Sequence, residues 1–218
     1  MRNSLVIATG SLALTFILVS SLPAFTLLDP ARRVFDPPLV ITVDERGWSI
    51  IEDFDGGVSA AIVSAEEWNT KLRTLVIAKA GAVPRALRTG DGQSTIRFDD
   101  PQKVCSKRFG CTAAAFVTYD KTQSGVCDGL ELVPITEVDI IFNSEYRFVN
   151  SRYDDRECVG ASLDAVVTHE VGHGLGLGHS EDGFAAMMPF TRACEPYPPR
   201  HDDWEGIKLL YGCDLVRE

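Results

Sequence analysis

Residues His169 to Ser180 read HEVGHGLGLGHS and hold three of the chain's four histidines together with four glycines. Neutral imidazoles are good ligands for zinc, at about 2.0–2.1 Å, whereas a glycine inside a helix costs about 1 kcal/mol relative to alanine. His169 and His173 stand four residues apart, so on a helix both rings leave one face, with Cβ atoms roughly 5–6 Å apart, and can meet one ion. His179 cannot join them by continuing that helix, because six more residues carry it roughly 240° around the axis and ~9 Å further along. The helix must stop and turn back. Gly176 is the expected stop, since glycine takes positive φ without a Cβ penalty, and Gly172 and Gly174 are violations of helix propensity imposed by a site. Three imidazoles leave zinc's fourth position open for water, as in catalytic sites, and Glu170 follows the first ligand as the general base of metal-assisted hydrolysis. The predicted site is therefore His169, His173 and His179 around one zinc ion, with Glu170 handling protons.

Other segments must position these residues. Ser162 as N-cap, Asp164 in the first turn and a stripe of Leu163, Val166, Val167 and Val171 predict the helix that bears His169, Glu170 and His173. Upstream, Val34 to Val43 predicts a strand entered from Pro37-Pro38, and Val58, Ala61, Ile62, Ala65, Trp68 and Leu72 predict an amphipathic helix over 58–72. Strands are expected at Leu75–Ile77, Ser94–Phe98, Ala113–Tyr119 and Val138–Phe142. A last helix is expected in DDWEGIKLLYG, with Asp202 as N-cap, Glu205 as capping-box partner and Gly212 as the stop. Its inner face is Trp204, Ile207 and Leu210 or Tyr211.

The N-terminus places Arg2 before an uncharged apolar run, Leu5 to Leu22, and a small residue, Ala24. This predicts an export signal over residues 1–24, with an uncleaved membrane anchor as the alternative. Residues 25–33 read as a short lead whose Arg32-Arg33 pair is solvated charge or a processing site, and 34–218 as one domain. Six cysteines behind an export signal point to three disulfides in an oxidising compartment, outside the cell or in its envelope. Of fifteen pairings, proximity favours Cys105 with Cys111 and Cys194 with Cys213, leaving Cys127 with Cys158. A zinc-binding cysteine set is disfavoured because no Cys-x-x-Cys pair occurs. A formal charge of −10 argues against nucleic acid as a partner.

HEVGHGLGLGHS, with AAMMP behind it, resembles the metzincin zinc peptidases. Ser180 after the third histidine, and Asp202-Asp203 opening a helix that ends Leu-Tyr-Gly, are similar to the matrixins in particular. The specific match covers Ser162 to Gly212. The resemblance implies an α+β metzincin fold. An upper lobe would hold a twisted, mostly parallel sheet with two helices, and a small irregular lower lobe would hold the C-terminal helix. It implies that Met187, rather than its neighbour Met188, is the turn methionine beneath the histidines, that Pro189 begins the wall of the substrate side-chain pocket, and that Asp202 and Asp203 tie the last helix to that turn. It also implies a monomeric, secreted zinc endopeptidase acting on proteins or peptides, with the segment 189–201 setting specificity. A catalytically silent zincin serving as a binding module is the alternative, as is a non-peptide hydrolase using the same chemistry.

The sequence departs from matrixins in several ways. No PRCGxPD-like segment occurs, so latency by a cysteine on zinc has no support. His201 is the only other histidine, which excludes a second, histidine-held zinc site; it reads as a solvent-facing residue, with a substrate contact as the sharper alternative. Pro189 stands where some relatives carry a tyrosine, which leaves oxyanion stabilisation mostly to zinc. Calcium is conceivable at Asp99-Asp100 or Asp154-Asp155, where solvated charge is the simpler account.

Overall fold

A computed structural model describes residues 23–46, 54–71, 73–84, 86–100, 102–105, 110–150, 160–190 and 198–217. Nearly all of the expected export signal lies outside them, as do Leu72, Asp154, Asp155, Cys158, Cys194 and most of the predicted specificity segment. Among the described residues no helix is long and apolar enough to cross a membrane.

The sheet is built on β3 (Leu39–Asp44), whose alternation buries Ile41 and Val43 while Val40 is exposed. β4 (Val76–Gly81) and β5 (Ser94–Arg97) flank β3 in parallel, and β5 pairs in parallel with the long β8 (Leu130–Phe142) through Thr95↔Asp139 and Ile96↔Ile140. On the other side of β8 runs β6 (Ala113–Tyr119), antiparallel, with Ala113↔Phe142 and Ala115↔Ile140. Among the described residues β6 has no partner on its other side. All four strands expected here exist, and Val138–Phe142 is the last part of a thirteen-residue strand.

One face of this sheet carries Ile41, Val43, Ile96, Val138, Ile140 and Phe142 into a single core with both upper helices. The first, α1, spans Phe54–Glu66, so it starts earlier and ends sooner than the apolar repeat over 58–72 suggests. Trp68 lies beyond the helix end, yet it is fully buried, and its indole N–H donates to the Thr168 carbonyl at 2.9 Å. Its apolar spacing reflects a tertiary contact rather than helical continuation. The second helix, α2 (Leu163–Gly174), has the expected N-cap: Ser162 Oγ accepts from the Ala165 amide at 3.2 Å.

Residues 25–33 are woven into the domain. β1 (Phe25–Leu27) pairs antiparallel with β11 (Leu177–Ser180), and β2 (Arg32–Arg33) pairs in parallel with β8. The expectation of solvated charge at Arg32-Arg33 is overturned, for both residues are buried. Arg32 donates to the carbonyls of Asp29 and Pro30 and covers the Tyr119 ring, and Arg33 donates to the Leu210 carbonyl at 2.7 Å. Two guanidiniums can be buried because carbonyls and aromatic faces replace their water.

The last helix, α3 (His201–Tyr211), buries Ile207, Leu210 and Tyr211 as expected, but its N-cap is Arg200 rather than Asp202. Asp203, not Glu205, is the acid that reaches back, accepting the Arg200 amide at 2.7 Å. The disulfides correct the proximity argument. Cys105 pairs with Cys111, but Cys213 pairs with Cys127, which removes both Cys194–Cys213 and Cys127–Cys158. The reason is topological: β12 (Val216–Arg217) returns to pair with β7 (Gly125–Cys127), bringing the two ends of an 86-residue span together. A further short parallel pair, β9 (Phe148–Val149) with β10 (Ala161–Ser162), leads into α2.

Candidate metal centre and cleft

The helix of the first two histidines ends at Leu175, whose amide bonds back to Val171 and Gly172, and Gly176 follows at φ +104°. That reversal sends the chain into β11, which carries His179. A methyl on Gly176 would strike the Arg32 carbonyl, so both conformation and space demand glycine. Gly172 answers a different need. A Cβ there would run into the Met187 thioether and come within 2.7 Å of the Trp68 ring. The glycine between the two helical histidines therefore lets the turn methionine and Trp68 press directly on the helix backbone, a tertiary reason that helix propensity does not reveal.

The structure brings all three predicted ligands together. The His169, His173 and His179 rings lie 4.8, 5.0 and 5.3 Å apart by centroid, and one ligand atom from each falls within 4.8 Å of the others. His169 Nδ1 lies 2.8 Å from the Ala186 carbonyl and His173 Nδ1 lies 2.8 Å from the Leu177 carbonyl. A carbonyl only accepts, so each Nδ1 carries the proton and each Nε2 keeps a lone pair for a cation. Burial and the neighbouring imidazoles push His169 down to about 3; burial also lowers His173 and His179. The rings are thus neutral near pH 7, the state that ligates. This donor set fits one zinc ion.

Glu170 is buried beside them, on the side of the site that faces Ala115 of β6. Burial raises its pKa to about 7, a shift that a nearby dication would oppose. Beneath the site Met187 is fully buried, and Asp203 accepts the amides of Ala186 at 2.8 Å and Met187 at 3.0 Å. Asp202 accepts the Ser180 hydroxyl at 2.6 Å and the Ala24 amide at 2.9 Å. The acidic pair thus ties α3 to the methionine turn and to the end of β11.

The histidines and Glu170 open into a cleft of about 950 Å³. β6 forms one edge through Ala113, Ala114 and Ala115; Pro189 and Phe190 stand on the cleft wall, Phe190 79% exposed. Sequence reasoning missed Val166 and the rim Glu145–Arg147. Val166 was within reach, since it sits one helical turn before His169; the rim was not, because nothing local marks the loop after β8 as facing the site. His201 lines a different depression, with Asp128 and Glu205, so the substrate-contact alternative finds no support. At Asp99-Asp100, Arg97 pairs with Asp99, and both Asp100 oxygens accept backbone amides, which is the structural role of this acidic pair.

The family model for matrixin, peptidase family M10, matches residues 86–212, well over half of the chain. Among curated proteins, matrix metalloproteinase-27 of Tupaia belangeri is 44% identical over 59 residues, 26% of this chain and 12% of that protein. Matrix metalloproteinase-19 of Homo sapiens is 46% identical over 54 residues, 24% of this chain and 11% of its own. Human matrilysin is 38% identical over 65 residues, 29% and 24% respectively. The matched stretches thus span a quarter or less of these relatives' length. Helix, glycine turn, histidine trio and the family match over residues 86–212 agree: the chain belongs to the matrixin family of metallopeptidases.

Proposed function

We propose that this protein is a secreted zinc endopeptidase in which His169, His173 and His179 hold the metal and Glu170 is the general base. The observation that carries the reading is the convergence of three neutral imidazoles beside a buried carboxylate at the floor of an open cleft. When bound, zinc supplies Lewis acidity, polarising the scissile carbonyl and lowering the pKa of water. Glu170 takes a proton from the attacking water and returns it to the leaving amine. Its carboxylate lines the same cleft as the histidines and as Ala113–Ala115 of the strand along which substrate lies.

A peptide in extended form adds to the outer edge of β6, which has no partner among the described residues, and there main-chain groups give affinity and side-chain pockets give selectivity. Val166, Pro189 and Phe190 give the wall beside the metal an apolar character, which suits an apolar side chain next to the cleaved bond. Export follows from the charged and apolar pattern of residues 1–24, and the disulfides fit an oxidising destination. The domain proper then begins at residue 25, with β1, rather than at 34.

The test is Glu170→Gln, which keeps shape and removes basicity. Zinc content should stay at one ion per chain, while cleavage of a quenched peptide library falls by at least roughly a hundredfold. Retained cleavage by that variant would refute the role of Glu170. Cleavage by the wild type that survives a zinc chelator would refute the metal's role.

A further inference from the structure

The segment between β5 and β6 carries the Cys105–Cys111 disulfide, which the mechanism leaves without a task. Behind it, the buried Asp100 carboxylate accepts the Val104 amide at 2.9 Å and the Cys105 amide at 2.8 Å. Ahead of it, Cys111 lines the cleft. The Cys111 carbonyl accepts from Nδ2 of Asn143 at 2.8 Å, and the Thr112 carbonyl accepts the Asn143 amide at 2.9 Å. β6 begins on the next residue, and Asn143 itself is buried, directly follows β8 and leads into the rim Glu145–Arg147. One covalent bond thus joins the Asp100 turn to the place where both the edge strand and the rim start.

A sheet edge captures a peptide best when its own backbone is already fixed, because ordering the edge on binding subtracts from affinity. β6 is laddered to β8 from its first residue, Ala113↔Phe142, whereas the residues that lead into it, Cys111 and Thr112, depend on Asn143 and on the disulfide. Stability is a smaller reason for this bond than for the other. It closes a separation of only six residues, and the chain-entropy gain, which shrinks slowly with loop length, is about half that for the 86 residues spanned by Cys127–Cys213.

We infer that the Cys105–Cys111 disulfide is a substrate-positioning element that fixes the start of β6 and that end of the cleft, so that long peptides are held there while the histidine site works without it. The inference rests on the peptidase reading above.

The test sets wild type against the double variant C105A/C111A, both zinc-loaded, on quenched peptides lengthened residue by residue on either side of the scissile bond. Peptides long on one side should show a roughly tenfold rise in KM, the worth of one or two net backbone hydrogen bonds. Short peptides should be unaffected and kcat unchanged. An unchanged KM for every peptide, or kcat and zinc content falling together, overturns the inference. Should the double variant fail to fold, Asp100→Asn keeps the disulfide but loosens its anchor, and is expected to give the same one-sided rise at smaller size; no rise counts against. Amide exchange provides a readout apart from turnover: Thr112, Ala113 and Ala114 should exchange faster in either variant while α2 does not change, and equal exchange overturns the claim. A wild type that cleaves no peptide defeats the peptidase reading, and the exchange comparison still decides the anchor.

Discussion

Asp139 shows at the scale of one residue how burial turns chemistry into a pH response. The residue is 2% exposed; Oδ1 accepts the Thr95 hydroxyl at 2.6 Å, while Oδ2 has no donor among the described residues. Burial, and beyond the opposing Thr95 bond the neighbouring Glu137, raise its pKa to about 7. The two oxygens of Glu137 accept the amides of Gly90 and Gly92. A carboxyl whose folded pKa lies above its unfolded value keeps a proton that the unfolded chain has released, so stability falls as pH rises from about 4 to 7. Asp139→Asn, which cannot ionise, should flatten that fall and melt higher than wild type at pH 8, as read by thermal unfolding across pH; parallel curves for the two proteins would contradict it. Gly176 gives a second single-residue expectation. Gly176→Ala places a side chain at φ +104° against the Arg32 carbonyl and should cost at least about 2 kcal/mol and weaken zinc binding, measured by denaturant unfolding and metal titration. A change below about 0.5 kcal/mol, the scale of a neutral surface substitution, would show that the turn tolerates a Cβ.

At the scale of elements, what the sequence discloses depends on whether the deciding contact is local. The α2 start is legible because Ser162 caps three residues ahead, and the strands are legible because apolar and β-branched runs bounded by turn residues are a property of neighbours in sequence. The trio of histidines is legible for the same reason: helical spacing plus one glycine turn fixes their relation without reference to the rest of the chain. The extent of α1 was not, since Trp68 continues its apolar rhythm only to reach the Thr168 carbonyl on another helix. Nor was the cap of α3. By local spacing Asp203 is an ordinary first-turn acid; its tie to the Ala186 and Met187 amides, up to seventeen residues away, follows from the family resemblance, but its bond to the Arg200 amide as cap does not. Gly172 reads as a flaw in a helix until Met187 and Trp68 are in place.

At the scale of the whole molecule, the pairing of Cys127 with Cys213 was the least legible feature, because it depends on the chain end coming back to β7. Closing so long a loop restricts the unfolded chain strongly, and C127A/C213A should lose ~4 kcal/mol of stability. Chemical denaturation at neutral pH measures this, and a loss under about 1 kcal/mol would mean that the unfolded chain is already compact there. The same bond joins the sheet, whose outer strand forms one jaw of the groove, to the second residue past α3, whose Asp203 supports the turn leading into the other jaw. The two jaws are therefore riveted at the back. Bite width is preset when the thiols oxidise, and a bulky guest must be accommodated by side-chain movement at the lips rather than by the mouth swinging open.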